Sequence, residues 1–133
     1  MLFPCTNEEE KEDEEVDERM EVTFACKVFP IEQVLRCSFG LSAAEFRVLK
    51  ILLAKGEKSV EETAEHLGRD RTTVQRAMAG LLKKGLVKRR QYNLDGGGYQ
   101  YAYHPQDKEW IKERVSEHFD RFSRTVKNEI ESW

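Results

Sequence analysis

Hydrophobic positions fall at helical spacing over most of the chain, in runs that glycines punctuate. Val22 to Phe29 (VTFACKVF) is apolar and β-branched, which predicts a short strand. Pro30 suits a first helical turn and predicts a short helix to about Phe39, ended by Gly40. Ser42 and Glu45 then stand three apart as a capping box, and Phe46, Leu49, Ile51, Leu52 and Leu53 follow at mostly helical spacing as far as Gly56. This segment is expected to be the core helix.

A second capping box, Ser59 and Glu62, opens a shorter helix. Its apolar face is Val60, Ala64 and Leu67, and it stops at Gly68. Asp70 is placed to cap the next helix, predicted from about 71 to 84, in which Val74, Met78, Leu81 and Leu82 form one buried stripe. Gly85 supplies the left-handed residue at its end. Leu86 to Asn93 and Tyr99 to His104 predict two strands around Asp95-Gly96-Gly97-Gly98, with Tyr99, Tyr101 and Tyr103 on one face. Pro105 ends the second strand.

From about 106 to 133, Ile111, Val115, Phe119, Phe122, Val126, Ile130 and Trp133 step by three and four, which predicts one helix of about 42 Å. The fold class is therefore mainly α with a small β-hairpin (α+β): a helix-turn-helix followed by a two-stranded wing and a long terminal helix. Residues 1–21 read as an acidic disordered tail, 22–104 as the winged helix-turn-helix DNA-binding domain and 105–133 as a C-terminal dimerisation helix. The tail lacks the apolar residues to bury a core. It reads as solvated, with a phosphate mimic competing for the basic face as the sharper alternative.

Composition adds limits. At 133 residues and 39% hydrophobic content the chain supports one domain. No apolar run reaches the roughly 18 to 20 residues of a membrane span, and Met1-Leu2-Phe3 does not lead into a signal peptide. Cys5, Cys26 and Cys37 have no CxxC spacing. An odd, scattered set implies a reducing, cytoplasmic setting, with Cys26 and Cys37 as inert buried thiols.

Charge changes the picture more. The net charge of -3 conceals a segment from Glu8 to Glu21 with ten acids and two bases, so the remainder is +5. His66 to Tyr92 carries eight Lys or Arg against Asp70 alone, +7 in all. The positive charge thus gathers on the second helix of the helix-turn-helix and on the start of the wing, the pattern of a nucleic-acid contact surface.

Side-chain chemistry sharpens that expectation. Thr72, Thr73, Gln75 and Arg76 lie on the first turns of the helix and suit base edges in a major groove. Arg69, Arg71, Lys83, Lys88, Arg89 and Arg90 suit phosphates, with Gly97 letting the wing tip approach a backbone. The tyrosine row reads as packing. Trp110, Ile111, Val115, Phe119, Phe122, Val126, Ile130 and Trp133 read as a dimerisation stripe, and the expected partners are double-stranded DNA and a second copy of the chain.

His66, His104 and His118 fall in three different elements, so no metal site is expected. No nucleophile–base pair, phosphate-binding glycine loop or GxSxG is present, so neither an enzyme nor a cofactor is expected. Two rival readings remain open: a winged helix used only as a protein-interaction module, and a sensor that releases DNA on a small-molecule or redox signal.

LSAAEFRVLKILLAKG, SVEETAEHLGRDRTTVQRAMAGLLKKGLVKRR, the glycine wing and YQYAYHP together resemble the winged helix-turn-helix domain of prokaryotic transcription regulators, of the MarR and archaeal TrmB types. The resemblance covers residues 41–104. It implies that TVQRAMAGLLKKGLVKR runs from the recognition helix into the first wing strand. DNA contacts then fall on Thr72, Thr73, Gln75 and Arg76 and on Arg89 and Arg90. The MarR type usually has long flanking helices at both ends, and the TrmB type a separate effector domain; this sequence has one long flanking helix and an acidic tail that belongs to neither pattern.

Overall fold

The computed structural model describes residues 20–133, and the chain divides into two compact units at Gly40. The expectations for residues 1–19 lie outside the described residues.

In the first unit, strands β1 (Glu21–Phe24) and β2 (Lys27–Pro30) pair antiparallel, with Phe24 opposite Lys27. The single strand expected over Val22 to Phe29 is therefore a hairpin, and Glu21, assigned to the tail, opens it. Its turn is Ala25-Cys26, with Ala25 at φ 57°, the left-handed conformation that tight hairpin turns need. No Gly or Asn marks this turn, so it is invisible to turn chemistry. Pro30 sits at the N-cap of helix α1 (Ile31–Phe39), which ends at left-handed Gly40. Cys26 and Cys37 are both exposed, which corrects their reading as buried thiols, and Cys37 is a free thiol.

The second unit holds helices α2 (Ala43–Lys55), α3 (Val60–Leu67) and α4 (Arg71–Lys83), strands β3 (Val87–Asn93) and β4 (Tyr99–Pro105), and helix α5 (Lys108–Ser132). Both capping boxes form. Ser42 Oγ accepts the Glu45 N–H at 3.1 Å while Glu45 Oε1 accepts the Ser42 N–H at 2.9 Å. Ser59 and Glu62 repeat the arrangement at 3.2 and 2.9 Å. Each box satisfies helix N–H groups that have no intrahelical partner.

The helices α2, α3 and α4 pack on one another around Val48, Leu52, Val74, Met78 and Leu81, all nearly or fully buried, with Leu86 and Val87 sealing the wing side. Two expectations shift here. Leu53 is exposed and Ile51 half-buried, and Val48 takes the inward position instead. In α3 the buried face is Val60 and Thr63, with Ala64 and Leu67 half-buried. Thr63 tolerates burial because its Oγ1 donates to the Ser59 carbonyl at 2.9 Å.

The wing strands pair in register from Val87 opposite Pro105 to Asn93 opposite Tyr99. A third extended residue, Lys58, joins them through two backbone bonds with Tyr103, at 2.9 and 2.7 Å. This clasp ties the wing to the loop between α2 and α3. A second bond, from the Gln106 N–H to the Leu86 carbonyl at 2.9 Å, closes its foot.

Helix α5 begins at Lys108, two residues later than expected, and its 25 residues extend about 38 Å. Ile111 is 6% exposed and belongs to the chain's own core, a correction to its place in the dimerisation stripe. Trp110 and Val115 are half-buried. Beyond them Phe119, Phe122, Val126, Ile130 and Trp133 are all exposed. No helix of the described residues is long and apolar enough to cross a membrane.

Candidate nucleic-acid interface

Helix α4 is set rigidly at both ends. At its start Asp70 accepts the Thr73 N–H at 3.3 Å and the Thr73 hydroxyl at 2.6 Å. These bonds, the hydroxyl's first, hold the Asp70 carboxyl below its ordinary pKa. At its end Gly85, at φ 78°, turns the chain: the Leu86 N–H bonds the Leu81 carbonyl at 3.0 Å and the Gly85 N–H bonds the Leu82 carbonyl at 3.1 Å. This double closure is the Schellman motif, with Leu81 and Leu86 both fully buried. One residue later β3 begins.

Between these ends the helix presents two different sides. Val74, Ala77, Met78 and Leu81 are buried, whereas Arg71, Thr72, Gln75, Arg76, Ala79 and Lys83 are exposed. Thr73 departs from the expected set. It is half-buried, and its hydroxyl is committed to Asp70, so it serves the cap rather than an open face.

The cations divide as well. Arg71 Nε lies 2.7 Å from Glu61 Oε2 on α3, and that hydrogen bond first of all lowers the Glu61 carboxyl. Lys84 Nζ lies 2.8 Å from Glu45 Oε1. Burial pushes the Glu45 carboxyl up, but the bonds from Lys84 and the Ser42 N–H outweigh burial and leave it below its ordinary value. On the wing, alternation sends Lys88 and Arg90 to one face and Arg89 to the other. The expected trio of wing cations is thus not one patch.

On the Lys88 and Arg90 face, Glu57 of the α2–α3 loop accepts the Tyr92 hydroxyl at 2.6 Å, and Arg90 lies 3.2 Å from that hydroxyl and 4.0 Å from Glu57. The Tyr92 contact is the main cause of a raised Arg90 pKa. On the other face the Arg89 guanidinium stacks 4.3 Å above the Tyr101 ring, which meets Tyr99 edge-to-face at 5.3 Å. Tyr103 alone of the tyrosine row is buried packing. Gly97, at φ 97°, forms the wing tip. Among the described residues no cluster of His, Cys, Asp and Glu is placed to hold a metal.

Sequence reasoning missed Lys58, Glu57 and the Glu45–Lys84 pair. Each acts through a long-range contact that leaves no local pattern.

Three packed helices, the third running through a tight corner into a clasped hairpin, define a winged-helix fold of the kind found in transcriptional regulators. The chain belongs to the TrmB family: residues 35–109 match the family described as sugar-specific transcriptional regulator TrmB. It is similar to an uncharacterized protein of Methanocaldococcus jannaschii, 43% identical over 101 residues, which covers 76% of this chain and 83% of that protein. Among solved structures it resembles a "possible transcriptional regulator" from Methanosarcina mazei, with 31% identity and a TM-score of 0.77 over 85% of this chain and 96% of that one. A transcriptional regulator from Thermotoga maritima shares 25% identity at a TM-score of 0.51, over 74% of this chain and 68% of its own.

Proposed function

We propose that this protein is a sequence-specific, double-stranded-DNA-binding transcriptional regulator, acting as a cytoplasmic homodimer. The observation that carries the reading is the two-sided character of α4. Its apolar side is sealed in the core, while Thr72, Gln75, Arg76 and Lys83 stay in water on a helix fixed at both ends. A preorganised helix loses little further freedom on entering a groove. Membership of a regulator family supports the same reading.

In this reading Thr72, Gln75 and Arg76 meet base edges: Gln suits adenine, Arg guanine and Thr the thymine methyl. Arg69, Lys83, Lys88 and Arg89 hold phosphates, and Gly97 lets the wing tip come close to the backbone. Arg71 and Arg90 join them by exchanging their carboxylate partners for phosphate.

The exposed stripe from Phe119 to Trp133 pairs with the same stripe of a second copy. That burial is the only way to remove so much contiguous apolar surface from water without a different partner. A two-fold pair then presents its recognition helices to successive major grooves, about 34 Å apart.

The test is retention of labelled genomic fragments by the full chain over a salt series. Binding whose logarithm falls linearly with the logarithm of salt, and which is stronger for selected than for random fragments, is the expected result. No shifted band even at low salt would end the reading and leave the winged helix as a protein-interaction module.

A further inference from the structure

The wing has two unlike faces, and beyond the buried Val87 and Tyr103 at its foot the one that carries Arg89 bears planar groups toward the tip. By register Arg89, Gln91 and Asn93 of β3 share it with Tyr99 and Tyr101 of β4. Arg89 already stacks on Tyr101, and Tyr101 meets Tyr99 edge-to-face. Tyr99 is 57% exposed, Gln91 and Asn93 are exposed, and Tyr101 is half-buried.

The opposite face carries the carboxylate of Glu57, tied to Tyr92 and close to Arg90. No acid of β3 or β4 lies on the Arg89 face, and Asp95 belongs to the tip loop.

We infer that this face is a stacking platform for unpaired nucleobases, so that the protein binds single-stranded DNA through its wing as well as duplex DNA through α4. The chemistry is specific to unpaired bases. A tyrosine ring stacks on a base only where the base's π-face is open, which an intact duplex does not offer. The Gln91 and Asn93 amides, one strand away, supply donors and acceptors for the base edges that unpairing exposes. The Arg89 guanidinium, 4.3 Å from the centre of the Tyr101 ring, adds charge toward the strand's phosphates. Tyr99, 57% exposed, and the half-buried Tyr101 beside it present open ring surface next to a cation on a glycine-tipped ribbon.

The inference rests on the nucleic-acid-binding reading above and shares Arg89 with it, but Tyr99 and Tyr101 take no part in that reading, so the two fail separately. The experiment measures fluorescence anisotropy of labelled 15-nucleotide single strands of mixed sequence, and of the corresponding duplex, with the full chain and with Tyr99→Ala, Tyr99→Phe and Arg76→Ala. Tyr99 is exposed, and circular dichroism confirms that each variant is folded.

The expected result is single-strand binding that falls roughly 5- to 100-fold in Tyr99→Ala. It is retained in Tyr99→Phe, which keeps the ring, and is unchanged in Arg76→Ala. Single-strand binding lost equally in Tyr99→Phe would place the contact on the hydroxyl and overturn stacking. Duplex binding without single-strand binding would overturn the inference and leave the regulator reading intact. Single-strand binding that Arg76→Ala abolishes would move the site to α4 and overturn it as well. Absence of binding to either probe at low salt would remove both readings.

Discussion

Gly80 lies where α4 passes the capping carboxylate of α2: a Cβ added at Gly80 would fall on Glu45 Oε2 and stand 2.9 Å from Glu45 Cδ. A glycine in mid-helix, ordinarily unfavourable by about 1 kcal/mol relative to alanine, here leaves the space that a neighbour's carboxylate fills. Glu45 cannot step aside freely, because it also accepts the Ser42 N–H and the Lys84 ammonium.

Gly80→Ala should show this coupling. In the natural background the displaced Glu45 loses two partners, and the substitution should lower unfolding free energy by about 1 kcal/mol despite its better helix propensity. In a Glu45→Ala background the same substitution should raise it by about 0.5–1 kcal/mol. Urea denaturation of the four proteins in this cycle measures the interaction directly, and additive effects would show that Gly80 and Glu45 are independent.

The same carboxylate gives stability a pH dependence. Its folded pKa lies below the ordinary glutamate value of about 4.5. Its stabilising contribution is therefore present above about pH 4.5 and is lost as pH falls through the lower, folded value. Glu61 and Asp70 shift in the same direction, so Glu45→Gln should flatten only part of the acid limb. Denaturant midpoints taken from pH 7 to pH 2 would reveal it; a limb of unchanged steepness in Glu45→Gln would remove Glu45 from the account.

Arg76 carries the specificity prediction. Arg76→Ala should weaken binding to a selected site by about 1–3 kcal/mol and shrink the ratio of selected to random affinity. Lys88→Ala should instead weaken all sequences alike and reduce the salt slope by about one. Competition anisotropy with selected and random duplexes distinguishes them. An unaltered ratio in Arg76→Ala would take the base-reading role away from this residue.

Thr73 tests the cap. Thr73→Val deletes the hydroxyl bonded to Asp70 and keeps the shape. It should lower stability by about 0.5–1.5 kcal/mol while leaving the selected-to-random ratio where it was. A changed ratio with unchanged stability would return Thr73 to the DNA-contacting face.

Phe122 tests assembly. It lies mid-stripe on α5, exposed in the single chain. Phe122→Glu should leave the helical signal of the folded unit intact and halve the mass seen by sedimentation equilibrium. A dimer that persists with glutamate at this position would place the interface elsewhere.

Helices α1 to α4 were legible because each one carries its own boundary marks, whereas α5, whose start has no side-chain cap, began two residues later than expected. Capping boxes at Ser42 and Ser59, Asp70 before α4, and left-handed glycines at 40, 68 and 85 are local signals, and the structure realises all of them. What the pattern left out was set by contacts distant in the chain. The Ala25 turn carries no turn residue. Lys58 is a one-residue strand whose partner, Tyr103, is 45 positions away. Ile111 fits the helical stripe of α5 equally well whether that stripe faces the core or a partner, and only the packing separates the two. The exposed polar face of α4 was legible, but periodicity could not tell that the Thr73 hydroxyl was already engaged.

The bond from the Gln106 N–H to the Leu86 carbonyl joins three things at one point: the corner leaving α4, the foot of the wing, and the approach to α5. The long helix and the hairpin therefore share a pivot. Swinging one while that bond holds drags the other, so in the proposed dimer the angle at which two copies meet would also set the angle at which each wing reaches outward. In that arrangement a change at the far end of the rod would have a mechanical route to the wing.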